Sequence, residues 1–209
     1  DKPFFLYIPL TSPHSPVVPN KPFQGKTNIG SYGDFVVETD WVVGQVMKAV
    51  DDAKIKDNTL LIFTTDNGAA QFSRNTKGGK THLSSGPYRG RKRDNWEGGH
   101  RVPFIARWPG VVEPDTVSST VLCLTDVTRT LVTIAGGEIT RHDVAEDSFS
   151  FLSALKGDAP GNINPGNLLK REATVHHGSS GEFAIRIGDW VYLHHQGSGG
   201  NNYPKDKEG

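Results

Sequence analysis

Three short stretches hold residues that could do chemistry. Asp66-Asn67-Gly68 ends the apolar run Leu60-Leu61-Ile62-Phe63-Thr64-Thr65, so a carboxylate and an amide stand side by side where a strand would stop. Both side chains offer oxygen, the donor that calcium and magnesium prefer, although calcium takes about six to eight oxygens and two residues cannot complete a site. Asp-Asn-Gly is also a common turn sequence. His14 lies in the loop Pro13-His14-Ser15-Pro16. Flanking prolines restrict its backbone, and a histidine there suits proton transfer or anion binding, with a plain surface histidine as the alternative. Lys92 sits in the basic cluster Arg89-Gly90-Arg91-Lys92-Arg93, which either binds an anionic group or is a solvated charged loop.

These residues need a scaffold. Phe4-Phe5-Leu6-Tyr7-Ile8 reads as a first strand that delivers His14 at its carboxyl end. From Asp34 to Ala53, Val36, Thr39, Val43, Val46, Met47 and Val50 recur at helical spacing. Strand, helix and the strand ending at Asp66 would then form a βαβ unit with parallel strands, whose carboxyl ends are where α/β sheets carry ligands. Residues 69 to 100 show little periodicity, and so long a loop is either functional or disordered. Val102 to Trp108 reads as another strand, and Thr125-Asp126-Val127-Thr128 as the cap of a helix running to Ala135, stopped by Gly136-Gly137. A shorter helix spans Phe149 to Leu155. Beyond a Gly, Pro and Asn interval at 158–167, the segments 173–177, 183–187 and 190–194 read as three short strands, the last two joined by Gly188-Asp189. The fold class expected is α/β, with a first domain over 1–157 and a linker plus small antiparallel subdomain over 158–209.

Several function classes are disfavoured. With 23 basic and 23 acidic residues in 209, no overall field draws nucleic acid. No run reaches the roughly 18 apolar residues of a membrane span. Cys123, the single cysteine, sits in Val121-Leu122-Cys123-Leu124 and reads as a small buried hydrophobe. His176-His177 falls in a strand where neighbours face opposite ways, which argues against a shared zinc. No GxSxG elbow, P-loop, HExxH or CxxC occurs, and Gly197-Ser198-Gly199-Gly200 lacks the strand-to-helix setting of a dinucleotide fingerprint. Glu97, Gly98, Gly99 and Arg101 read as holding the long loop onto the sheet.

Taken in order, the stretches Pro3 to Tyr7, Pro13 to Pro16, Asp57 to Thr59 and Thr65 to Gly68 resemble the sulfatase family of the alkaline phosphatase superfamily. So do Gly90-Arg91-Lys92, Glu97 to Pro103, Arg107 to Gly110, Thr125 to Val127 and Ala184 to Trp190. The resemblance implies an alkaline-phosphatase-like sheet flanked by helices, here partial, and hydrolysis of sulfate esters with calcium and a formylglycine. By the same likeness Asp66 and Asn67 would be calcium ligands. His14 would contact the sulfate and assist the leaving oxygen, and Lys92 would bridge both. Arg74, His82, Arg89 and His177 could line a pocket for an anionic sugar. The family's amino-terminal aspartate pair and Cys-x-Pro-x-Arg segment are not in this sequence, and Cys123 does not match. The expectation is therefore the carboxyl-terminal portion of a sulfatase, inactive alone, that would partner the missing amino-terminal part and sit in the periplasm or outside the cell. A phosphate or phosphonate ester hydrolase and a noncatalytic binding module are the alternatives.

Overall fold

A computed structural model describes residues 2–70, 82–141, 143–157 and 171–200. The chain divides into two compact units, Asp1–Ile55 with Ala69–Pro87, and Lys56–Gly68 with Tyr88–Gly209.

The first unit is organised by helix α1, Ser31–Asp52. Its first turns bury polar rather than apolar side chains. Asp34 accepts hydrogen bonds from the Gly25 and Thr27 amides at 2.7 and 2.8 Å, and Glu38 accepts from the Asn20 amide at 2.9 Å. These carboxylates satisfy loop amides that would otherwise be buried without partners. Val36, expected on the buried stripe, is instead exposed, while Val43, Val46, Met47 and Val50 are half-buried. Phe4 to Ile8 corrects a second expectation. The segment forms no strand, and Phe4, Phe5, Leu6 and Tyr7 are all strongly exposed. A strand exists only where a neighbour takes its N–H and C=O groups, and no ladder is formed by these residues.

The second unit contains strand β1, Leu61–Thr64, where the sequence placed it. Its partner is β2, Phe104–Arg107, in antiparallel register with Leu61 opposite Arg107 and Thr64 opposite Phe104. The parallel βαβ unit is thus not found among the described residues. Between the strands lies the one-turn helix α2, Glu97–His100. Helix α3, Asp126–Ile134, ends at Gly136, whose φ of +77° is the left-handed stop expected of it. The cap differs from expectation: Thr125 makes no capping bond, and the Asp126 carboxylate accepts from the Cys123 amide at 2.7 Å. Helix α4, Leu152–Leu155, starts later than the Phe149 expected, and Phe151, just before it, meets Phe104 edge-on at 5.3 Å between ring centroids.

The three carboxyl-terminal strands form as read. β3 (Thr174–His177), β4 (Phe183–Ile187) and β5 (Trp190–Leu193) make one antiparallel sheet in sequential order. Its inner face buries Thr174 and Ala184, while Val175, Phe183, Trp190 and Tyr192 of the other face are exposed. No helix among the described residues is long and apolar enough to cross a membrane.

Candidate active site

The corner that carries Asp66 and Asn67 is pinned by main chain rather than side chain. Directly after it, the Gly68 amide donates to the Gly99 carbonyl at 2.8 Å, and a Cβ on Gly68 would stand 2.9 Å from the Gly98 carbonyl carbon. Gly98 in turn donates to the Arg89 carbonyl at 2.7 Å, and a Cβ there would meet that oxygen at 2.8 Å. A Cβ on Gly99 would meet the Arg91 oxygen at 2.7 Å. The Gly98-Gly99 pair is therefore touched on one side by the corner after β1 and on the other by the basic turn 89–94. Only glycine permits backbone to approach backbone this closely.

Asp66 is exposed and has no cationic partner among the described residues, its one bond being from the Thr65 hydroxyl at 3.3 Å. Asn67 donates through Nδ2 to the Gly68 carbonyl at 3.1 Å, which leaves its amide oxygen uncommitted. An anionic oxygen beside a neutral one, neither occupied by a counter-charge, fits a hard cation such as calcium and supplies part of its shell. No cluster of three or more His, Cys, Asp or Glu suited to a metal occurs among the described residues, so this corner is at most part of a site.

Lys92 is half-buried, and its ammonium has no acceptor among the described residues. It rides on a turn closed by Asp94, whose amide donates to the Arg91 carbonyl at 3.0 Å and whose Oδ2 accepts from the Arg91 amide at 2.9 Å. Arg89 is not presented to a pocket by its guanidinium alone, which lies over the Trp96 ring at 3.7 Å. His177 is exposed on β3, its Nδ1 within 2.9 Å of the Gly178 carbonyl oxygen. His14 and His82 belong to the first unit and are both exposed; His14 Nδ1 lies 2.9 Å from the Ser15 carbonyl oxygen. Arg74 lies outside the described residues.

Glu97 holds the loop onto the carboxyl-terminal sheet rather than onto that of β1, and the ion pair of Arg101 is to Glu97 itself. Glu97 accepts from Arg101 at 3.2 Å and from Arg186 of β4, so one carboxylate ties α2 to the carboxyl-terminal sheet. Burial pushes this carboxyl up, but the two guanidiniums more than offset it and hold it below its ordinary value. His100 stacks on His176 at 3.9 Å between centroids. Burial first, and then His176, lower His100 to about 4, against a smaller opposing pull from Glu97. Cys123 is half-buried, and desolvation raises its thiol, in keeping with the inert reading.

Sequence reasoning missed Asn95, which is 1% exposed. Its Nδ2 bonds the Glu182 carbonyl at 2.7 Å and His195 Nε2 at 2.8 Å, while its amide bonds the Ser198 carbonyl at 2.7 Å. An asparagine among five charged neighbours reads as solvated, and only distant partners reveal it as a buried hub.

Residues 1–137 match the sulfatase family model, so the chain belongs to the sulfatase family. It is 33% identical over 200 residues to the N-acetylgalactosamine-6-O-sulfatase of Bacteroides thetaiotaomicron, covering 92% of this chain and 37% of that protein. Over 134 residues it is 40% identical to human N-acetylgalactosamine-6-sulfatase, covering 64% of this chain and 25% of that one. A solved Bacteroides thetaiotaomicron structure, described for the metabolism of multiple glycosaminoglycans, superimposes with a TM-score of 0.76 at 32% identity over 92% of this chain and 39% of its own. A Pseudoalteromonas sulfatase structure follows at a TM-score of 0.69 and 25% identity, covering 87% and 34%. The fold class is thus the α/β sulfatase fold in part, with its small antiparallel β subdomain. The chain spans between 25% and 37% of the length of these curated relatives.

Proposed function

We propose that these residues form part of a sulfate ester hydrolase, contributing two calcium ligands, Asp66 and Asn67, and two groups that meet the substrate, His14 and Lys92. The formylglycine nucleophile would lie outside this sequence. The observation that carries the reading is the Asp66-Asn67 corner, an oxygen pair without counter-charge whose main chain shares the Gly98-Gly99 pair with the Lys92 turn. Calcium bound there would supply fixed positive charge against the sulfuryl oxygens. Lys92, an ammonium without an acceptor among the described residues, would bind a sulfate oxygen and the departing oxygen as negative charge develops on it. His14 would deliver a proton to that oxygen.

Relatives named for N-acetylgalactosamine 6-sulfate favour a carbohydrate sulfate as substrate. His177, exposed and with Nε2 uncommitted, is proposed as a contact for an anionic sugar, and Arg74, His82 and Arg89 are the other residues of that proposal. A periplasmic or secreted location is part of the same reading.

The test uses the full-length gene product with calcium, phenyl sulfate and phenyl phosphonate. Sulfate turnover should dominate, fall when calcium is chelated, and drop about 10²–10⁴-fold in His14→Ala. Preferred turnover of the phosphonate would replace this reading with phosphoryl chemistry, and efficient sulfate turnover by the isolated 209-residue chain would refute the external nucleophile.

A further inference from the structure

We propose that the glycine-rich loop Gly197-Ser198-Gly199-Gly200 is a clasp that fixes the turn carrying Lys92, with Asp94 as the positioning residue between them. The inference rests on the reading of Lys92 as a group that meets the sulfate ester.

The turn is strained, and so must be held. Arg93 adopts φ +87°, a left-handed conformation that a non-glycine residue keeps only when its surroundings impose it. Asp94 is 5% exposed and closes the turn through the Arg91 amide. The loop 198–200 lies directly against it. A Cβ on Gly200 would overlap Asp94 Oδ1 and stand 3.4 Å from its Cγ, and a Cβ on Gly199 would stand 2.7 Å from Asn95 Nδ2. Ser198, 3% exposed, accepts the Asn95 amide through its carbonyl at 2.7 Å, and its hydroxyl accepts the Gly200 amide at 3.1 Å.

The clasp is itself backed from behind. Ser180 donates its amide to the Gly199 carbonyl at 3.1 Å, and a Cβ on Gly178 would stand 2.8 Å from the Gly199 carbonyl carbon. The Ser179 amide donates to the Arg93 carbonyl at 3.0 Å, so the segment after β3 grips the turn and the clasp together. Residues 93–95, 178–180 and 198–200 are packed so closely, against backbone at Gly178 and against the Asp94 and Asn95 side chains at Gly200 and Gly199, that no further side chain fits. This gives the glycine run its reason: it is a spacer of backbone thickness, not a phosphate loop. Displacing it moves Asp94, and with Asp94 the turn on which Lys92 is mounted.

A purely structural role would lower the fraction of active enzyme equally for every substrate. A positioning role for Lys92 would not, because a basic leaving oxygen needs the ammonium more than a good leaving group does. The test compares kcat/KM for phenyl sulfate and 4-nitrophenyl sulfate in the full-length protein and in K92A, G200A, D94A and D94N. K92A should lose more on phenyl sulfate, and G200A and D94A should reproduce that skew, with a loss on phenyl sulfate approaching about 10²-fold for a displacement of about 1 Å. K92A/G200A should be no worse than K92A alone. D94N, whose amide oxygen can still accept the Arg91 amide, should restore most of the activity. Equal losses on both esters, or a double variant with multiplied losses, would overturn the clasp. K92A skewed with G200A and D94A unskewed would overturn it while leaving the sulfatase reading intact; an unskewed K92A would remove the role of Lys92 and the clasp with it. Should G200A be recovered unfolded, D94A with its D94N rescue carries the same comparison.

Discussion

Placing one methyl group on Gly68 tests whether the metal corner is set by main-chain contact. In Gly68→Ala the new Cβ would stand 2.9 Å from the Gly98 carbonyl carbon and 3.1 Å from that of Gly99, and would overlap the Gly98 oxygen. None of these atoms belongs to a flexible side chain. Nor can Gly98-Gly99 retreat, since Gly98 is bonded to Arg89 and Gly99 already abuts the Arg91 and Asp94 carbonyl groups. The corner after β1 must therefore move outward, which costs about 1–3 kcal/mol of overpacking strain. It also loses the Gly68 to Gly99 hydrogen bond, worth about 0.5–1.5 kcal/mol. Together these come to about 1.5–4.5 kcal/mol, and at about 2–4 °C per kcal/mol for a chain of this size the melting temperature should fall by roughly 3–18 °C. Gly44→Ala is the control: Gly44 is exposed inside α1 with nothing within 4 Å of a Cβ, so alanine should stabilise by about 0.5–1 kcal/mol. Thermal melts followed by circular dichroism read both. A G68A variant melting with the wild type would refute backbone contact as what positions the corner.

Acid should weaken the second unit from about pH 6.5 downward. His100 is lowered to about 4 by burial and by His176, so between about 6.5 and about 4 the unfolded chain binds a proton that the folded chain refuses, and stability falls as pH falls through that window. Glu97 and Arg186 face the same ring, and His100 Nδ1 is buried without a partner, so His100→Phe should flatten the fall in urea midpoint between pH 7 and 5 without loss at pH 7; an unchanged slope would place the sensitivity elsewhere. Asp126→Ala should cost about 3–5 kcal/mol in chemical denaturation, because Asp126, 1% exposed, pairs with the part-buried Arg171 and accepts the Cys123 and Phe149 amides at 2.7 and 2.9 Å. A cost below about 1 kcal/mol would mean that water reaches those donors.

What the sequence made legible was what periodicity and turn chemistry encode. Helix α1 follows from a helical repeat, α3 from its glycine stop, and the β4-β5 hairpin from Gly188-Asp189, where Gly188 takes φ +56°. A single strand's sequence does not name its neighbour, which is why β1 was located while its antiparallel pairing with β2 was not. Phe4 to Ile8 shows the same gap from the other side, as its apolar run has strand propensity without a ladder to join. For the candidate functional residues, the sequence offered only residue types and a family likeness, and Asp66, Asn67, His14 and Lys92 carry the proposed roles on that ground.

Gly98 and Gly99 were legible as holding the loop but not as the place where two backbones touch, and Asn95 escaped because it is buried against expectation. A glycine that lets two backbones touch looks in sequence like a glycine that turns a loop. Gly68, Gly98 and Gly99 are of the first kind, since none has the positive φ that would mark the second. The two kinds separate under substitution: alanine at a turn glycine strains its own residue, whereas alanine at these three displaces a neighbour to which the proposed function assigns chemistry. In this chain the neighbours are the Asp66-Asn67 corner and the Lys92 turn, so stability and catalysis should fail together at the glycines. At the side chains of the proposed site they should separate, because Asp66 and Lys92 have no ion pair to lose among the described residues, and their removal should impair binding and turnover while leaving the fold intact.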